Sequence, residues 1–358
     1  MEIHVFYTWG EQAAQAKYDP GFNQHIRWDI PLLDGYPYTW VHNKAKNPGS
    51  HHFWGIQCPE LHAQVLAYRP DAVLVYGWNF YSHLRLMMRL KNRISVWFRG
   101  DSTLLDEPFM PRWKVIVRRS LLRWVYRHID LALYAGQANK KYFEAHGLRA
   151  NQLFFMPHAI DQARFAEWSP EKEQQLVNWR NELGIAPNDR VLLFVGKFEA
   201  KKNPLRLVNI FRKMTHPNLR LLLVGSGPQE AAIREAASRD NRVLVLPFQN
   251  QQVMPTVYRL GNGLILPSRG PGETWGLVVN EALASGIPVA ASLRCGATYD
   301  LIPEALRFDP DNEEQIKAVI TWLATENAPM VASEQRSLYT LGGQTHALVE
   351  ASCCLPNK

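Results

Sequence analysis

Short apolar runs alternate with amphipathic stretches along almost the whole chain. In the first half, HVFYTW, AVLVYG, ISVWFRG, LALYAG and LFFMP are rich in β-branched or aromatic residues. They run into Gly, Pro or polar positions, which is the pattern of buried strands. Between them LHAQVLAYR, SHLRLMMRLK and NKKYFEAHG carry helical spacing. In the second half RVLLFVG, LRLLLVG, RVLVLPF, GLILPS and PVAAS repeat the strand pattern, again separated by helix-like segments. Strand–helix alternation in both halves predicts an α/β chain with two doubly wound parallel sheets. The polar stretch from Gln162 to Asp189 breaks the rhythm and reads as a crossover with one helix.

The 358 residues fit two domains at roughly 150 residues each, and a 46% hydrophobic composition suffices for two cores. The cysteines Cys58, Cys295, Cys353 and Cys354 form no Cys-x-x-Cys pair and no zinc spacing, as expected of reduced cytosolic thiols. The N-terminal MEIHVFYTWGE has no charged leader followed by an apolar stretch. No apolar run approaches the roughly 20 residues that span a bilayer. These patterns predict a cytoplasmic location. The formal charge of +7 favours an anionic partner.

The richest segment for chemistry is LILPSRGPGETWGLVVNEALASGIPVAAS. A strand ends at Pro267–Ser268, a Gly/Pro loop follows, and Glu273 stands before a helix containing Glu281. The spacing predicts two glutamates two helical turns apart on nearly one face. Amides of Trp275, Gly276 and Leu277 would sit at the helix mouth, facing an anion. Phosphates at those amides and hydroxyls at the carboxylates would suit one ligand. A capped amphipathic helix with surface glutamates satisfies the same pattern, so the segment alone leaves both readings open.

This stretch resembles the Glu-x7-Glu signature of retaining glycosyltransferases of family four, which have the GT-B fold. Upstream, VLLFVGKFEAKKNP resembles that family's strand, glycine, basic residue and lysine, with Gly196, Lys197 and Lys202 at the matching positions. LRLLLVGSGP, RVLVLPFQNQQVMPTVY and PVAASLRCGATYDLI follow in order, so the resemblance runs from about Val191 to Leu301. In the first half LALYAGQANKKYFEAHGLRANQLFFMPHAIDQARF resembles the end of the family's N-terminal domain, with PHAID where Asn-Gly-Val-Asp is more usual. FRGDS (Phe98–Ser102) stands where many members carry a histidine, and His83 is the substitute candidate.

The resemblance implies two Rossmann-like domains facing across a cleft. An acceptor domain would span 1–165, a donor domain 166–339, and a C-terminal helix near 340–358 would pack back on the first. It implies transfer of a hexose-type sugar, with retention, from a nucleoside-diphosphate sugar to a hydroxyl of a glycan, lipid-linked or small-molecule acceptor. UDP is favoured over GDP. Lys202, Lys197 and Glu273 would be catalytic. Gly196, Gly225, Gly227, Trp275, Gly276, Leu277 and Glu281 would bind the donor, Glu273 at the sugar hydroxyls and Glu281 at the ribose. Lys197 replaces the commoner arginine and so keeps the charge without the bidentate fork. On the acceptor side the candidates are Arg99, Asp101 and His83, a mutual Arg99–Asp101 pair being the structural alternative. No cofactor beyond the sugar nucleotide and no metal is implied, since Asp-x-Asp is absent.

Alternatives are a GT-B protein that binds the sugar nucleotide without transferring it, or a related epimerase or phosphorylase. GSG in VGSGPQE is a truncated dinucleotide fingerprint, and a dehydrogenase is not expected. Nucleic acid is not expected either, because RNP, zinc-finger and helix-turn-helix patterns are missing. One further segment stands out. PRWKVIVRRSLLRWVYRH (Pro111–His128) has six basic residues and no acid, with Trp113, Ile116, Val117, Leu121, Trp124 and Val125 at helical spacing. The expectation is that this apolar stripe packs on the sheet and that the basic face meets an anionic membrane surface, placing the protein peripherally on the inner face.

Overall fold

Every apolar run named above forms a strand. The structure is a computed structural model that describes residues 1–11, 17–325 and 328–353; Cys354 lies outside them. The first strands are β1 (Val5–Tyr7), β2 (Lys17–Asp19), β3 (Gln24–Ile26) and β4 (Tyr38–Trp40). Then come β5 (Ala72–Tyr76), β6 (Ser95–Arg99), β7 (Leu131–Tyr134) and β8 (Leu153–Phe155). The second half supplies β9 (Arg190–Val195), β10 (Leu219–Val224), β11 (Val243–Leu246), β12 (Gly263–Leu266), β13 (Val289–Ser292) and β14 (Arg307–Phe308).

The chain divides into two compact units: Met1–Lys17, Pro31–Pro157 and Thr345–Lys358 form one, Tyr18–Ile30 and His158–Gln344 the other. The sequence pattern gave no sign that Tyr18–Ile30 belongs with the second half. In the first unit β5, β6, β7 and β8 make a parallel sheet in sequence order, and β1 pairs with β4. Helices α1 (Leu61–Tyr68), α2 (Tyr81–Leu90), α3 (Arg112–Tyr126) and α4 (Gln137–Ala145) accompany it. Alternation along β6 sends Phe98 into a core with Leu122, Val125 and Phe143. Its neighbour Trp97 joins Leu133 and Met156 against Ala347 and Ala351 of the helix Leu341–Cys353. Both faces are therefore covered, as continuous apolar strands require.

Helix α3 corrects the expectation for its apolar stripe. Leu122, Val125 and Tyr126 are buried, while Trp113 and Ile116 are 64% and 65% exposed and Val117, Leu121 and Trp124 also face solvent. The sequence holds two apolar registers on opposite sides of the helix, and the smaller one faces the core. Two of the bases that the pattern turned outward instead find partners. The Arg118 guanidinium donates to the Tyr142 hydroxyl at 3.0 Å, and Arg119 pairs with Glu107 at 2.7 Å.

The second unit is a six-stranded parallel sheet in the order β11-β10-β9-β12-β13-β14. Renumbered within the unit this is 3-2-1-4-5-6, the doubly wound Rossmann-like order. Register is continuous from Leu221–Leu192 to Val224–Val195 between β10 and β9. The core is aromatic: Phe194, Phe198, Phe211, Tyr258 and Phe308 are fully buried. The segment read as a one-helix crossover holds two helices, Gln162–Ala166 and Pro170–Glu182, capped by Asp161 and Ser169. Among the described residues no helix is long and apolar enough to cross a membrane.

Candidate active site

Strand order reverses between β9 and β12, and in open α/β sheets ligands bind beyond the carboxyl ends of strands at such a switch point. The loop after β9 carries Gly196, Lys197 and Lys202, and the loop after β12 carries Ser268 and Glu273. Backbone bonds join the loops: the Arg269 amide donates to the Lys201 carbonyl at 2.8 Å. Phe198 anchors the first loop in the core and bonds the Ser226 carbonyl at 2.8 Å through its amide. The turn after β10 thus lies against Gly196. Gly225 there has φ of 154°, and a Cβ would fall 1.9 Å from the Gly196 carbonyl oxygen, so only glycine fits.

Glu273 is buried and ion-paired with the Lys202 ammonium, itself mostly enclosed. The Ser268 hydroxyl donates to Glu273 Oε2 at 2.8 Å. An ion pair kept from water needs such extra bonds, because desolvating both charges costs several kcal/mol. Lys197 points elsewhere. Its ammonium donates to both oxygens of Asp19, at 2.9 and 3.0 Å, and lies 5.1 Å above the Phe22 ring. Burial pushes the Asp19 carboxyl up, but Lys197 and the amides of Phe22 and Gly21 hold it below the usual range. The β2–β3 segment continues across the glycine turn: Ser226 Oγ donates to the Phe22 carbonyl at 2.9 Å. A Cβ on Gly227 would meet the Gly21 carbonyl at 2.7 Å.

The two glutamates do not share a helix face. The helix runs from Val278 to Ala284, so Glu273 stands in the loop and Glu281 in the first turn. Gly276, with φ of 93°, ends any helical path before Val278. A Cβ there would also lie 2.9 Å from both Cys295 Sγ and Leu266 Cδ2. Trp275 is a core residue: its indole donates to Asn280 Oδ1 at 2.8 Å and its ring stacks on Tyr339 at 5.5 Å. Leu277 is exposed. Glu281 accepts the Tyr258 hydroxyl at 2.6 Å. Burial pushes the Glu281 carboxyl above its usual range, opposed by that hydroxyl and the charge of Arg164.

The acceptor-side candidates belong to the first unit. Arg99 is buried and donates to the carbonyls of Met156 at 2.6 Å and Pro157 at 3.1 Å, tying β6 to the end of β8. Asp101 is exposed and acts on Arg99 through its charge. His83 Nδ1 lies 3.1 Å from the carbonyls of Tyr76 and Gly77, so it carries the proton and Nε2 accepts from the Thr8 hydroxyl at 2.8 Å. Burial holds this histidine below its usual value and hence neutral near pH 7. Gly77 also donates to the Arg99 carbonyl at 3.0 Å, which gathers His83 and the end of β6 at one sheet edge. Sequence reasoning missed Asp19, Tyr258 and Ser268. Only Asp19 left a trace, in the turn-forming Asp-Pro-Gly of YDPGFN.

Residues 177–337 match the model of the family described as glycosyl transferases group 1. The chain has the GT-B fold. It is 18% identical to Anabaena Alr3699/HepE, solved in complex with UDP and glucose, with a TM-score of 0.63 over 89% of this chain and 87% of that one. It is also 18% identical to a sucrose-phosphate synthase from Thermosynechococcus elongatus, with a TM-score of 0.65 over 98% and 97%. Sulfoquinovosyl transferase SQD2 of Arabidopsis thaliana is 26% identical over 249 residues, 69% of this chain and 47% of that protein. A D-inositol 3-phosphate glycosyltransferase of Nocardia farcinica (strain IFM 10152) is 38% identical over 125 residues, 32% of this chain and 27% of that relative. The chain therefore aligns with half or less of the length of these curated relatives.

Proposed function

We propose that this protein is a retaining glycosyltransferase that moves a hexose-type sugar from a nucleoside-diphosphate sugar, UDP favoured over GDP, to an acceptor hydroxyl. The observation that carries this reading is the buried Lys202–Glu273 pair at the switch point beside Gly196 and Lys197. In the reaction the anomeric C–O bond to the diphosphate breaks and a bond to the acceptor oxygen forms. The acceptor proton passes to the departing phosphate, on the same face of the sugar. Negative charge grows on that phosphate, so fixed cations aimed at it are the main catalytic lever. Lys202 and Lys197 supply them, with no divalent ion assigned. Glu273 serves the sugar hydroxyls and Glu281 the ribose. The group 1 match over this half and relatives named as glycosyl transferases support the activity. The neighbour solved with UDP supports the choice of base. UDP release measured with and without added acceptors tests the reading: release that no acceptor accelerates would favour a binding protein or an epimerase.

A second reading concerns where the enzyme works. The exposed stripe Trp113, Ile116, Val117, Leu121 and Trp124 on α3 lies among Arg112, Lys114, Arg123 and Arg127. That combination suits the headgroup region of an anionic membrane on the cytoplasmic side, apolar rings inserted and bases at phosphates. It favours a peripheral enzyme with a lipid-linked acceptor. Co-sedimentation with anionic vesicles tests it.

A further inference from the structure

A cavity of about 220 Å³ lies between α1, α2 and the loop around Gln57–Pro59, within the first unit. That is several times the roughly 30 Å³ share of a water molecule. Ser82 sets its floor: Ser82 Oγ accepts the Cys58 amide at 2.7 Å, and the Ser82 amide donates to the Ile56 carbonyl at 3.3 Å. Buried Leu61 and Leu86 form the wall. Beside the neutral Gln57, Pro59 and Tyr81, the charged part of the lining is wholly cationic, with Lys44, Arg85 and Arg89 together with His62.

These charges are poorly matched inside the protein. Arg85 and Arg89 stand one helical turn apart on α2, a like-charge spacing that disfavours the helix. Arg85 donates to the Tyr81 hydroxyl at 2.9 Å, which leaves its charge uncompensated. Among the described residues no ion pair joins Arg85 or Arg89 to a carboxylate. Lys44 reaches Glu60 only at 3.7 Å, with both side chains 55% exposed. The imidazole Nε2 of His62 is enclosed and has no hydrogen-bond partner among the described residues. Burial, then the charges of Arg89, Arg93 and Arg85, hold His62 below its usual value. It is therefore neutral near pH 7, with one ring N–H to donate.

We propose that this cavity binds the phosphate of a phosphate monoester through Lys44, Arg85, Arg89 and His62 Nε2. A dianion there neutralises the repulsion along α2 and satisfies the enclosed imidazole. Guanidinium pairs and an imidazole N–H around one oxyanion are the strong, charge-assisted class of hydrogen bond. The site is independent of Lys202 and Glu273 and stands whether or not the donor assignment holds.

The test is calorimetric titration of the full chain with inorganic phosphate and with glycerol 3-phosphate. Arg85 and Arg89 are exposed, so the double variant R85Q/R89Q keeps the fold. Saturable binding is expected in wild type and in Lys202→Ala, weakened at least about tenfold in R85Q/R89Q. His62 should also titrate upward when phosphate is bound. A lipid source is distinguished by vesicles of phosphatidylcholine and phosphatidic acid, using chains with Trp113→Ser and Ile116→Ser to remove the α3 stripe. Capture that needs Arg85 and Arg89 identifies a headgroup, and binding of glycerol 3-phosphate without capture identifies a soluble ligand. Phosphate binding that is absent, or unchanged in R85Q/R89Q, overturns the proposal.

Discussion

Asp19 holds the ammonium of Lys197 with both carboxylate oxygens, at 2.9 and 3.0 Å. Lys197 is one of the two cations assigned to the donor diphosphate, so a carboxylate stands where a phosphate oxygen is expected. Other contacts of Tyr18–Ile30 hold the segment in place: Phe22 packs on Phe248 at 4.8 Å, and Asn250 donates to the Arg27 carbonyl at 2.7 Å. If the proposed donor site holds, donor and Asp19 compete for one charge. Replacing Asp19 with Asn should tighten UDP binding, by up to about fivefold for a pair exposed to this degree. Calorimetry of UDP against wild type and Asp19→Asn checks this. Weaker binding in the variant would mean that Asp19 helps the donor.

Lys202 should dominate the chemical step. Lys202→Ala should lower turnover more than about tenfold, through loss of charge at the leaving group. It also strands the Glu273 carboxylate, an effect of about 3–5 kcal/mol when a buried pair loses one member. Lys202→Arg keeps the charge and separates the two effects: it should recover the melting temperature more fully than the rate. Equal rates in wild type and a folded Lys202→Ala would remove Lys202 from the mechanism.

Glu281 should trade stability for donor binding. Its carboxyl is held above the usual range, so the folded state takes up a proton more readily than the unfolded chain. Its ionised form therefore destabilises the protein above its folded-state value. That penalty fades as pH falls towards the unfolded carboxyl value of about 4.3. Glu281→Gln keeps an acceptor for Tyr258. It should melt higher than wild type near neutral pH, converge with it in acid, and show a raised donor KM because ribose contacts persist into the transition state. A lower melting temperature at neutral pH would contradict this sign.

Activity should survive chelation. In the proposed mechanism lysines take the place of a divalent ion at the leaving phosphate, so most of the rate should remain in EDTA. A rate abolished by EDTA and restored by manganese or magnesium would contradict the assignment.

Membrane binding should depend on the apolar stripe as well as on charge. Trp113→Ser with Ile116→Ser should reduce sedimentation with anionic vesicles at low salt, and added salt should weaken it further. Equal sedimentation of variant and wild type would return α3 to the role of a solvated helix.

The sheets were legible because buried parallel strands read as continuous apolar runs, and RVLLFVG or LRLLLVG have few other readings. Gly196 and Lys202 were singled out by resemblance to a family motif and Glu273 by the strand–loop–helix pattern around it, and the fold brings Lys202 and Glu273 together at the strand ends. The reading failed where local periodicity met tertiary choice. On α3 two apolar registers compete, and packing against Leu122 and Val125 decides between them. The Glu273–Glu281 spacing mimics two helical turns, but Gly276 takes a φ that no helix contains. Asp19 and Tyr258 lie 178 and 23 residues from the partners they bond, and nothing in a single sequence joins such positions.

The proposed function requires the switch-point pair to build a nucleotide-sugar site. Calorimetric titration of UDP into wild type, Lys202→Ala and R85Q/R89Q tests it most directly. One saturable site is expected in wild type and R85Q/R89Q, weakened at least about tenfold in a folded Lys202→Ala. Equal affinity in all three, or no binding of UDP or GDP by the wild-type chain, would contradict it.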